Sequence, residues 1–152
     1  MKAIYLAAAF AALANPAHAL CVGDHGKSFD KVVKSTFKAI KTQDGTALLD
    51  IFSRDGVRFG DVNVPYADLQ QQFTNQTDAY CDFFVCESQP GFLSRLGGGI
   101  SVSKSVTSNF ITVSGSVRVS NTSFASGLQL DYGMDAQCQW RLTAVVYDRP
   151  AI

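Results

Sequence analysis

The side chains of this chain that could carry covalent, metal or acid–base chemistry are four cysteines, two histidines, and aspartates and tyrosines scattered among apolar segments. Thiol–disulfide exchange would need a Cys-x-x-Cys pair, and the cysteines at 21, 81, 86 and 138 contain none. Zinc sites combine close cysteine pairs with histidines. Here the closest pair, Cys81 and Cys86, encloses Asp82, Phe83, Phe84 and Val85, and the histidines are His18 and His25. No metal is expected. Disulfide bonding is the expected use of Cys21, Cys81, Cys86 and Cys138, with three pairings open.

A general base working near neutral pH is hard to supply. His18 lies in a segment expected to be removed, and His25 precedes the first helix. A carboxylate with its pKa raised by burial would have to serve. The candidates are Asp61, Asp131 beside Tyr132, and Asp135, each more simply read as a solvated or turn-forming aspartate. No catalytic set is assigned. Tyr66, Tyr80, Tyr132 and Trp140 have the flat apolar body and polar tip that suit a ligand pocket, although core packing explains them as well. Arg141 is expected on the strand face opposite Trp140, where a guanidinium can grip an anionic ligand or stand in solvent. The serines between 101 and 126 lack a Gly-x-Ser-x-Gly elbow. Gly97-Gly98-Gly99 lacks the Lys-Ser/Thr of a phosphate loop, so no cofactor is expected.

The first 19 residues read as an export signal: Lys2, an apolar run from Ala3 to Leu13, the breaker pair Asn15-Pro16, then Ala17-His18-Ala19 before the cut. The apolar run is too short to span a bilayer, which takes roughly 20 residues. Cys21 raises lipid attachment at a new N-terminus, but Leu20 stands where that processing wants a small residue. The expected destination is the periplasm or the medium. Residues 20–152 then form one domain of 152 − 19 = 133 residues, large enough for a proper core. With Lys2 gone it carries 12 Lys and Arg against 13 Asp and Glu. That balance favours neither nucleic acid nor an anionic membrane, and no integral membrane association is expected.

Phe29, Val33, Phe37 and Ile40 recur at helical spacing and predict a helix over 28–41, with Ser28 as its cap. Leu48, Leu49, Ile51 and Phe52 predict a short second helix ending at Ser53-Arg54-Asp55-Gly56. Strands are predicted at 57–59 and 61–64 around Gly60, and a third helix from Pro65 carries Leu69, Phe73, Tyr80 and Phe84 on one stripe. Residues 87–99, with Pro90 and the triple glycine, predict a loop. Beyond Gly99 the apolar period becomes two. Ile100, Val102 and Val106; Ile111, Val113, Val117 and Val119; Leu128 and Leu130; and Trp140, Leu142, Ala144 and Val146 predict four antiparallel strands. The fold class is α+β, with helices preceding a meander.

This order resembles the NTF2-like (SnoaL-like, cystatin-like cone) superfamily. The carriers are FKAIKTQDGTALLDIFSRDGVRFG, similar to that family's first two helices and first strand, and QWRLTAVVYD, similar to its closing strand. The resemblance implies N-terminal helices packed in a strongly curved antiparallel sheet with a conical pocket. The superfamily holds isomerases, dehydratases, hydrolases and proteins without catalysis, so the fold does not carry an activity across. The leading expectation is an exported, non-catalytic binding domain for a protein partner or a small apolar ligand. The alternatives are an immunity or inhibitor protein that blocks a secreted toxin, and a cone-pocket isomerase or hydrolase using aspartate and tyrosine.

Overall fold

The apolar stripe around Phe29 forms α1, His25–Lys41, which buries Phe29, Val33, Thr36, Ala39 and Ile40. The structure is a computed structural model describing residues 21–87, 91, 100–109, 112–121 and 127–147; the expected export signal and most of the loop at 87–99 lie outside them. The helix starts three residues before the predicted Ser28, because Asp24 is the cap and accepts the Lys27 N–H at 3.0 Å. A carboxylate there also suits the positive end of the helix dipole. α2, Gly45–Ile51, is capped the same way, with the Asp44 carboxylate accepting the Ala47 N–H at 2.9 Å.

β1, Val57–Phe59, and β2, Val62–Val64, pair antiparallel around Gly60, whose φ of +59° is easy only for glycine. The single helix predicted after Pro65 is instead two: α3, Tyr66–Asn75, and α4, Ala79–Phe83. Gln76 and Asp78 take positive φ, 54° and 48°, and turn the chain between them. The Gln72 side chain accepts the Ala79 N–H across the break. The predicted apolar stripe survives the break because Phe73 still meets Tyr80 and Phe84, with centroids 5.6 and 6.1 Å away.

The second half supplies β3, Ile100–Ser108; β4, Val113–Asn121; β5, Gly127–Met134; and β6, Trp140–Tyr147. Ile111, predicted within the second of these, lies outside the described residues. The six strands form one curved, unclosed sheet in the order β2-β1-β6-β5-β4-β3, antiparallel except where β1 runs parallel to β6. Alternation along β6 does not hold as predicted. Asp131 pairs with Ala144 but Tyr132 with Leu142, so Thr143 is an extra residue in β6. Such a bulge bends the strand and changes its phase. Trp140 and Leu142 face the helices as predicted, but beyond the bulge Val145 is opposite the core residue Leu130 and takes the inward place expected of Ala144 and Val146.

Helices α1 to α4 cover the face bearing Val117, Val119, Leu128, Leu130, Tyr132, Leu142 and Val145, all buried with Phe29, Phe52, Phe73, Phe83 and Phe84 in one core. This is the α+β arrangement that the element order implied.

Candidate functional site

Among the described residues, aromatic rings pack between helices and sheet. Phe29 lies edge-on to Tyr132 at 5.4 Å and against Trp140 at 4.8 Å. It also presses on Gly115 of β4, where any Cβ would stand 2.5 Å from the ring, so only glycine fits under it. Tyr132 is buried and donates its hydroxyl to Thr36 Oγ1 at 3.1 Å, while Thr36 donates to the Val32 carbonyl at 2.9 Å. Burial pushes the Tyr132 hydroxyl pKa well above its ordinary value, against a smaller lowering from Thr36. The Trp140 indole N–H donates to Ser28 Oγ at 3.0 Å, which docks the first turn of α1 on the start of β6.

The five residues with pocket potential are not brought together. Tyr132 and Trp140 sit around Phe29, whereas Tyr80, within α4, meets Phe84 edge-on at 4.7 Å. Tyr66 opens α3, donates to the Leu49 carbonyl at 3.4 Å, and has the Arg54 guanidinium 4.3 Å above its ring. Arg141 points away from the core. Its Nε donates to Asp135 Oδ2 at 2.7 Å, and its other nitrogens donate to the Asp50 carbonyl and Gln139 Oε1. The guanidinium thus ties α2 to the turn between β5 and β6.

None of the three aspartates considered as bases lies in the interior. Asp61 is exposed at the β1–β2 turn. Asp131 follows strand alternation onto the face opposite Tyr132, where it accepts from Gln129 Nε2 at 2.7 Å. Asp135 accepts from Arg141 and from the backbone N–H groups of Gln137 and Gln139. Burial raises its pKa, but those hydrogen bonds and the Arg141 charge outweigh it and hold the carboxyl below the ordinary range. A group so held stays ionised and is a poor base.

All four cysteines are bonded, Cys21 to Cys138 and Cys81 to Cys86. The first bridge pins the residues before α1 to the β5–β6 turn, beside Asp135 and Arg141. Two such staples fit an oxidising compartment. No described helix is long and apolar enough to cross a membrane.

A recess of about 420 Å³ lies on the outside of α1, lined among the described residues by Lys27, Asp30, Lys31, Lys34, Ser35 and Lys38. The four lysines are exposed and recur at spacings of four, three and four, which aligns them on the side of the helix opposite Phe29 and Val33. Asp30, at the margin, is ion-paired with Lys104 of β3. From Asp24 to Lys41 the chain holds five lysines against two aspartates, while the rest of residues 20–152 holds seven basic groups against 11 acidic. The near-neutral total conceals this segregation. Its signal was in the sequence, in lysines kept off the apolar stripe, and whole-chain charge averaged it away.

No protein-family model matches the chain, and no curated protein matches it. Helices laid on one face of a six-stranded curved sheet are the arrangement that the resemblance to the NTF2-like superfamily implied. Among solved structures the chain is similar to a candidate ketosteroid isomerase from Shewanella frigidimarina NCIMB 400, at 10% identity and a TM-score of 0.45, covering 80% of this chain and 94% of that one. It is also similar to the structure named Rd1NTF2_05 with long sheet, at 13% identity and a TM-score of 0.44, covering 83% and 100%. Neither likeness brings an activity to this chain. Among the described residues the rings of Phe29, Tyr132 and Trp140 pack against one another between helices and sheet, while the four aligned lysines stand on the outer side of α1.

Proposed function

We propose that the protein is an exported, non-catalytic binding domain that holds an acidic protein partner against the outer face of α1. The observation that carries this reading is the exposed alignment of Lys27, Lys31, Lys34 and Lys38 along one recess. Charges of one sign along a cleft steer an oppositely charged partner and set its orientation. The contacts of Phe29 with Tyr132 and Trp140 support a surface role over a small-ligand pocket at those rings. The cone-pocket enzyme is the weaker reading, since it needs an inward carboxylate near a tyrosine hydroxyl and Asp61, Asp131 and Asp135 all lie outside. Blocking a secreted toxin is one role a surface binder of this kind can fill, and the two disulfides accord with export.

The test compares residues 20–152 with a variant carrying glutamine at positions 27, 31, 34 and 38, each immobilised and exposed to periplasmic extract or medium. The expected result is an acidic protein retained at low salt, released as salt screens the exposed charges, and absent from the variant. Rebinding of the purified partner in a defined ratio completes the test. Equal retention by the variant removes α1 from the site, and retention of no acidic protein by the unaltered chain overturns the reading.

A further inference from the structure

β3 ends the sheet, and no described residue pairs with its outer edge. Its inward face is bare as well. Val102 pairs with Val119 and Lys104 with Val117, both fully buried, yet Ile100, Val102 and Val106 are 41%, 51% and 37% exposed. A nine-residue edge strand with open apolar side chains is a template for another strand. The sequence itself indicates which one. Outward from Lys104, Ser103 mirrors Ser105, Val102 mirrors Val106, and Ser101 mirrors Thr107; the symmetry fails only at the ends, Ile100 and Ser108.

We propose that β3 pairs antiparallel with β3 of a second copy of this chain, with Lys104 on the two-fold axis. In that register Val102 stands opposite Val106 of the second copy, Ser103 opposite Ser105 and Ser101 opposite Thr107. An isologous contact requires such self-complementarity, and antiparallel strands deliver it residue by residue. A lysine on an edge strand ordinarily discourages pairing. Here the Lys104 ammonium is engaged by Asp30 of α1, so two ion pairs meet at the axis as a neutral set of two ammonium groups and two carboxylates. The joined sheets present their helical faces on the same side, and the lysine flanks of the two α1 helices stand on either side of the axis. This proposal goes beyond the acidic-partner reading and does not rest on it.

Sedimentation velocity over a range of concentrations tests the proposal with residues 20–152. The expected result is a dimer that becomes monomeric in the double variant Val102→Lys, Val106→Lys. Both positions are exposed, so an unchanged circular dichroism spectrum and melting temperature are expected alongside. Lys104→Thr leaves the two Asp30 carboxylates at the axis without their ammonium partners and is expected to weaken the dimer, and adding Asp30→Asn is expected to restore it, a rescue that mere structural support by Lys104 does not produce. The register has its own test under oxidising conditions. Lys104→Cys is expected to join two copies by one new disulfide, since directly opposed residues bring their Cα atoms within bonding range. Ser101→Cys, opposite Thr107, is not. A monomer at every concentration, or a dimer that the double lysine variant leaves intact, overturns the proposal.

Discussion

β6 and β3 belong to one sheet, have similar lengths and both open with apolar and polar residues in alternation, yet their fates are opposite. Along β6, Trp140, Leu142, Ala144 and Val145 are buried, whereas every residue of β3 is exposed. The difference is helical cover. Phe29 of α1 reaches Trp140 of β6, Tyr132 of β5 and Gly115 of β4 with an apolar ring, whereas toward β3 the helix presents the Asp30 carboxylate, as an ion pair with Lys104. Both disulfides fall on the covered side, one at the β5–β6 turn and one at α4. A period-two pattern therefore reports that a strand has two unlike faces. What lies on its apolar face is decided by the placement of the helices.

The largest expected effect separates the two strands directly. Leu142→Ala removes a fully buried side chain from the centre of the core and is expected to cost about 3–5 kcal/mol, the transfer free energy plus that of the cavity left behind. Val102→Ala on β3 is expected to cost less than about 0.5 kcal/mol, as for surface substitutions generally. Urea denaturation measured well below the concentration of any dimer checks both, and comparable losses at the two sites would break the contrast.

A somewhat smaller effect concerns the staples. Cys21 and Cys138 are 117 residues apart and Cys81 and Cys86 only 5. If a disulfide acts by restricting the unfolded chain, the upper limit is about 5 kcal/mol for the long bridge, of which about 2–4 is typically realised, and about 2 kcal/mol for the short one. Paired serine substitutions are expected to lower the melting temperature more at 21 and 138 than at 81 and 86. The reverse order would place the main role of Cys81–Cys86 in local native structure around the α3–α4 break.

The sequence disclosed the element order, the four bonded cysteines and most of the core, because apolar period and cysteine count are properties of residue type. It did not disclose three features that depend on the third dimension. The α3–α4 break rests on Gln76 and Asp78 adopting positive φ, which neither residue type demands. The bulge at Thr143 moves Val145 inward, and a strict count of two cannot anticipate one extra residue. The bareness of β3 depends on how far α1 reaches. For the site, Asp131 could have been set aside from the sequence alone, since neighbours on a strand point to opposite faces and Tyr132 falls in step with the apolar Leu128 and Leu130. Arg141 was rightly placed on the outward face, but Asp135, six residues away, is a partner that only the turn between β5 and β6 reveals.

That pair gives the smallest of the three expected effects and the one with a definite pH dependence. Asp135 is ionised in the folded state and accepts from Arg141 and two backbone N–H groups, so its folded pKa lies below its unfolded one. The unfolded chain therefore binds the proton more readily, and the stabilisation present above the ordinary aspartate range is lost as pH falls through the folded pKa. Asp135→Asn keeps the side-chain size and an acceptor oxygen but removes the charge facing Arg141. It is expected to cost about 1–2 kcal/mol at neutral pH, in the range of a hydrogen bond to a charged group. The two proteins are expected to converge as pH falls from about 5, through the ordinary aspartate value of about 3.9, to below the lowered folded pKa, where the aspartate itself becomes neutral. Urea midpoints measured across that interval check the sign. A gap that stays constant with pH would mean that Asp135 acts in the turn through its shape alone, leaving the covered end of the sheet held by packing and the Cys21–Cys138 bridge without this ion pair.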